Sequence, residues 1–154
     1  MIESPAPLHA ARRRVLRAMG AGAALLVVRP AAATPEDLAS ALRELFGERS
    51  IKPGKVSLQV PRLAENGFVV PVTISVDSPM TERDYVKRLH LFAEQNPLPR
   101  VLDVELGPRN GVARVATRIR VAISQQLLAV AVMSDDSVWS SAVEVEVTVG
   151  GCAP

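Results

Sequence analysis

A chain of 154 residues, 48% of them hydrophobic, is long enough to close one buried core, and its single cysteine excludes an internal disulfide. The formal net charge of +2 is misleading, because Arg12, Arg13, Arg14, Arg17 and Arg29 all lie in the first 33 residues. Residues 34–154 hold 13 Lys/Arg against 15 Asp/Glu, a net charge of −2, so the electrostatic case for nucleic-acid binding falls away.

Residues 1–33 read as an export signal. Arg12-Arg13-Arg14-Val15-Leu16 precedes a mild, Ala/Gly-rich apolar stretch from Ala18 to Val28, and Ala31-Ala32-Ala33 supplies the small residues of a cleavage site. That stretch is far shorter than the ~20 residues that span a bilayer. Consecutive arginines before a weakly apolar run favour the twin-arginine route. The expected destination is the bacterial periplasm, where thiols are oxidised and structural cysteines pair.

Thr34-Pro35-Glu36-Asp37 is a helix start, with a capping hydroxyl, proline at the first helical position and two acids against the positive helix end. Leu38, Ala41, Leu42 and Leu45 follow at helical spacing, which predicts an amphipathic helix over 35–48. Beyond Pro53-Gly54 the period becomes two. Val56, Leu58 and Val60 alternate with polar residues, and Val70, Val72, Ile74 and Val76 share one face of residues 68–76. Pro71 lacks a ladder donor and predicts an edge or a bulge there.

Residues 85–94, 100–106, 112–123, 126–133 and 138–149 continue the pattern. Within 112–123, Ala113, Val115, Ile119 and Val121 oppose Arg114, Arg118 and Arg120. In the last run Val143, Val145, Val147 and Val149 oppose Glu144 and Glu146. Asn66-Gly67 and Asn110-Gly111 are hairpin signals, while Asn96-Pro97-Leu98-Pro99 and Ser134-Asp135-Asp136-Ser137 are breaks between strands. Seven strands, each with one polar face, predict an all-β antiparallel β-sandwich over residues 34–149 preceded by one helix.

Chemistry is scarce in this pattern. His90 is the single histidine of residues 34–154 and falls in a strand run, where a half-exposed structural role is the expected one. CxxC, HExxH, GxSxG and glycine-rich phosphate loops are absent from the sequence, so no metal, cofactor or catalytic residue is assigned. The arginine trio reads as a solvated strand face, and Asp135-Asp136 as a turn. What remains is Cys152, at the end of Val149-Gly150-Gly151-Cys152-Ala153-Pro154. Gly150 and Gly151 remove the Cβ restriction and predict a flexible arm over 150–154. Three residues past Val149 extend at most about 10 Å, enough to place a thiol in another protein's pocket. No Lys, Arg or His lies within the ten residues before Cys152. Its thiol is therefore expected to be ordinary until a partner supplies a positive field.

Several blocks together resemble the SoxY family of thiosulfate-oxidation carrier proteins. These are Ala64-Glu65-Asn66-Gly67-Phe68-Val69-Val70-Pro71-Val72, Ser78-Pro79-Met80-Thr81, Asn96-Pro97-Leu98-Pro99, Thr117-Arg118-Ile119-Arg120, Ser124-Gln125-Gln126, Ala129 to Asp135 and Val149-Gly150-Gly151-Cys152. The resemblance implies an immunoglobulin-like sandwich that forms a heterodimer with a SoxZ-like subunit and is not itself a catalyst. It implies that Cys152 is the covalent attachment point for sulfur intermediates and that Gly150 and Gly151 are the hinge. The implied transient partners are the SoxXA cytochrome, the SoxB hydrolase and, where present, a sulfane dehydrogenase. The family's usual ending is Gly-Gly-Cys-Gly-Gly, whereas this chain ends Gly-Gly-Cys-Ala-Pro, a stiffer and bulkier tip. The alternative from another class is a sandwich-fold binding or assembly module whose Cys152 forms an intermolecular disulfide. A thiol enzyme is disfavoured, because no base accompanies the cysteine.

Overall fold

The computed structural model describes residues 34–151; the expected export segment and residues 152–154 lie outside them. Helix α1 spans Pro35–Phe46 and starts as its sequence dictates: the Thr34 hydroxyl accepts from the Asp37 N–H while the Asp37 carboxylate accepts from the Thr34 N–H at 2.7 Å. It ends at Phe46, two residues earlier than predicted, and is capped by Gly47, whose φ of 59° suits glycine.

Nine strands follow: β1 (Ile51–Pro53), β2 (Val56–Gln59), β3 (Leu63–Asn66), β4 (Val70–Val76), β5 (Val86–Ala93), β6 (Arg100–Glu105), β7 (Arg114–Ile119), β8 (Gln125–Met133) and β9 (Val138–Val149). The larger sheet runs β1-β9-β8-β5-β6, with β3 also paired to β9; the smaller runs β2-β4-β7. All seven predicted strands are present, and the helix-plus-sandwich prediction holds. The two strands that the sequence does not announce, β1 and β3, both pair with β9 in parallel, so the large sheet is not purely antiparallel. Each has only three or four residues, too few to show a period.

The core lies between the sheets. Leu89, Leu91, Leu127, Ala129, Ala131 and Val145 of the large sheet meet Val56, Leu58, Val70, Val72, Ile74 and Ile119 of the small one. A second cluster forms on the outer face of the large sheet, where α1 lays Phe46 onto Phe92, Val130, Val132 and Val138. The helix thus makes a third layer; β8 is apolar on both faces from Leu127 on, and β5 is buried on both from Leu89 to Ala93.

Three expectations change. Asn66-Gly67 and Asn110-Gly111 do not close hairpins, because each joins a strand of one sheet to a strand of the other. Their turn chemistry is intact, with the Asn66 side-chain oxygen accepting from the Phe68 N–H at 2.8 Å and the Asn110 oxygen from the Gly107 N–H at 2.8 Å. Inter-sheet packing, rather than the turn, chose the partners. The hairpins are β5–β6 and β8–β9, joined by the two polar breaks. Pro71 lies in the central strand of the small sheet, yet β2 ends opposite Thr73, so at Pro71 the ladder has one neighbour only, Arg118. The missing N–H is tolerated for that reason.

Candidate functional site

Cys152 lies outside the described residues, so the site is approached through the structure that delivers it. Strand β9 carries the chain to Val149, which pairs with Asn66 of β3. The Gly67 N–H donates to the Val149 carbonyl at 2.7 Å, and the Gly67 carbonyl accepts from the Val121 N–H at 2.8 Å. The Gly151 N–H then donates to the Val121 carbonyl at 2.9 Å. Gly67 is thus a junction between the end of β9 and the segment after β7. Gly151 is buried and Gly150 half-buried. Both glycines of the expected hinge thus lie against the domain, with one hydrogen bond from the Gly151 N–H.

The segment that receives the arm is braced from behind. Asn96 and Gln125 are among the few buried polar residues, each about 6% exposed. The Asn96 amide donates to the Arg120 carbonyl at 2.9 Å, and its oxygen accepts from the Ala122 N–H at 2.8 Å and from the Gln125 amide at 2.9 Å. Gln125 also donates to the Ile123 carbonyl at 3.1 Å and accepts from the Gln95 N–H at 2.7 Å. A fully satisfied buried network of this kind fixes backbone position. Across the strand, the Val147 N–H donates to the Ser124 hydroxyl at 2.9 Å.

Around this junction the surface is unusually apolar, with Phe68, Val69, Ile123 and Val149 all exposed. The sequence places Glu144 and Glu146 on the arm-bearing strand and no basic residue between positions 142 and 151. Strand β9 itself carries no positively charged side chain.

The other candidates resolve as structure. His90 is buried rather than half-exposed, because α1 covers its face of β5. Its ring meets Phe46 edge-on at 5.4 Å, and its Nδ1 pairs with Asp103, whose other oxygen takes Arg100 Nε at 2.7 Å. The ring therefore faces the helix, away from the inter-sheet core. Arg114, Arg118 and Arg120 are exposed, as a solvated strand face requires. Asp135 forms its turn by accepting from the Ser137 hydroxyl at 2.6 Å and the Ser137 N–H at 3.0 Å, and these bonds hold its carboxyl below the usual value. Among the described residues, no group of three His, Cys, Asp or Glu side chains is placed to hold a metal ion.

Sequence reasoning missed Gly67, Asn96 and Gln125 as parts of the arm's surroundings. All three lie in the blocks that carry the family resemblance, but nothing in their spacing says that they converge.

Comparison with known proteins bears on this geometry. The family model described as "Sulfur oxidation protein SoxY" matches residues 42–152. The structure is similar to that of the sulfur carrier protein SoxY from Chlorobium limicola f thiosulfatophilum, with a TM-score of 0.62 and 27% identity over 74% of this chain and 98% of that one. It is also similar to superoxide reductase (neelaredoxin) from Ignicoccus hospitalis, with a TM-score of 0.55 and 16% identity over 61% of this chain and 80% of that one. A putative superoxide reductase from Thermotoga maritima gives 0.54 and 17% over 63% and 93%. At those identities the two reductases share the sandwich and nothing more is inferred from them. No match was found among curated proteins. With a family match that begins within α1 and runs through the arm to Cys152, the chain belongs to the SoxY family of sulfur oxidation proteins.

Proposed function

We propose that this protein is a periplasmic sulfur carrier subunit that holds thiosulfate-derived intermediates covalently on Cys152. The observation that carries the reading is that the family match extends to Cys152, three residues beyond the end of β9 at Val149, where the chain meets an apolar surface. The chemistry needs no catalytic set in the carrier itself. The thiol loses its proton, its sulfur bonds to the terminal sulfur of thiosulfate, and two electrons pass to a c-type cytochrome partner of the SoxXA kind. Water attack on the outer sulfonate, by a SoxB-like hydrolase, then releases sulfate and two protons and leaves a persulfide on Cys152. Because β9 supplies no positive charge, thiolate formation falls to the partner's pocket. A SoxZ-like subunit completes the carrier in this reading, and a sulfane dehydrogenase consumes the persulfide where one is present. Export by the twin-arginine route is supported by Arg12-Arg13-Arg14 and Ala31-Ala32-Ala33.

Intact-mass measurement after exposure to thiosulfate and the cognate cytochrome tests the reading. The expected result is an adduct that reductant removes and that Cys152→Ser abolishes. A constitutive doubling of mass without adducts would instead establish a disulfide-linked assembly module. The Ala153-Pro154 tip is expected to be tolerated, so Ala153→Gly with Pro154→Gly should leave the conjugation rate unchanged or raise it. A clear fall in that rate would show a tip specialised for its partner.

A further inference from the structure

Gly150 and Gly151 enter a slot with two backbone walls, Gly67–Phe68 on one side and Val121–Ala122 on the other. A Cβ on Gly150 would overlap the Ala122 carbonyl oxygen. On Gly151 it would overlap the Gly67 carbonyl and crowd the Phe68 nitrogen at 2.7 Å. On Gly67 it would overlap the Val121 carbonyl and lie 2.6 Å from the Gly151 nitrogen. The walls are backbone, so no side-chain rotation relieves the overlap, and Asn96 and Gln125 pin the second wall in place. None of the three glycines has a positive φ, which those that do, Gly47, Gly54 and Gly111, contrast with. The three are needed here for the space they leave.

We propose that Gly67, Gly150 and Gly151 are positioning residues, whose missing side chains let residues 150–151 seat in this slot. Past the end of β9 the seat is held by one backbone hydrogen bond, from Gly151 to Val121. A single bond of that kind favours the seated state by on the order of ten-fold, so the arm is aligned at rest and still free to leave. Seating fixes Gly151 against Gly67 and Phe68, so the residue that precedes the cysteine has one position rather than a wide cone of them. This rests on the carrier reading only for what the arm carries; the seat itself is a property of the backbone.

Amide hydrogen exchange on the purified full chain, normalised to intrinsic rates, reads the seat directly. The amide at position 151 is expected to be protected on the order of ten-fold in the unaltered protein. Gly151→Ala and Gly150→Ala, both in the terminal arm and so harmless to the core, should abolish that protection while Ala129 and Ala131 of β8 stay protected. Gly67→Ala should do the same from the wall. In step, a bulky maleimide should label Cys152 a few-fold faster in the variants, relative to iodoacetamide. Exchange at the unstructured rate in the unaltered protein, or protection that survives both arm substitutions, would overturn the proposal. Neither readout involves sulfur transfer. Protection without a thiosulfate adduct would therefore sink the carrier reading alone, and an adduct without protection would sink the seat alone.

Discussion

Phe46→Ala should lower the stability of the domain by about 3 kcal/mol, within the range for truncating a buried phenylalanine. Phe46 is 3% exposed, while the other apolar residues of α1, Leu38, Ala41, Leu42 and Leu45, are only partly buried. The helix is therefore anchored mainly at its end. There the ring meets His90 at 5.4 Å and Phe92 at 6.5 Å, both edge-on, and the Arg49 guanidinium lies 5.9 Å from its centroid. Arg49 also donates to the Leu45 and Phe46 carbonyls at 3.0 Å, closing the helix terminus. Removing the ring leaves a cavity against Phe92 and uncovers His90, and a twelve-residue helix has little stability without tertiary contacts. Urea denaturation gives the magnitude, and the α1 amides should lose their protection before those of β8 do. A loss below about 1 kcal/mol would mean that the helix is not anchored there.

Asn96→Ala should cost about 3 kcal/mol, although it deletes no apolar surface. Its side chain satisfies three groups at once: the Arg120 carbonyl, the Ala122 N–H and one amide proton of Gln125. Truncation leaves these without partners in a buried setting, and each unsatisfied group costs about 1–3 kcal/mol, partly recovered by local relaxation. Gln126→Ala, one residue from Gln125 but exposed, should change stability by less than about 0.5 kcal/mol. Equal effects at the two positions in denaturant melts would refute the network's role. Since the bonded segment is one wall of the slot, Asn96→Ala should also lower protection at position 151.

The parts of this structure that were legible share one property: they repeat. Alternation over six or more residues located β4, β7 and β9 and put Val70, Val72, Ile74 and Val76 correctly on one buried face. The α1 cap was legible because Thr34, Pro35 and Asp37 each act on their own backbone neighbourhood. What depends on the other layer was not. His90 looks half-exposed from β5 alone, and it is α1, an element earlier in the chain, that covers it with Phe46. β1 and β3 exist because β9 offers them an edge, a fact absent from their own few residues. At the site, the glycine pair reads in sequence as freedom of the chain, and the structure adds the room it leaves between two backbones. Asn66-Gly67 reads as a turn, and its second residue is also a wall.

The pairing of β9 has a kinetic consequence. This strand is the last part of the domain to leave the ribosome, yet it aligns with Ile51 at Val138 and with Ala64 at Val147, partners from the opposite end of the chain. Closing such long loops is slow, and these pairings belong to the late stage of folding. Gly67 cannot take up the Val149 carbonyl until β3 has found β9, and the wall at Val121 needs Asn96 in place. The slot that holds residues 150–151 is thus among the last features of the domain to form, and a molecule in which it is filled is one whose folding is complete.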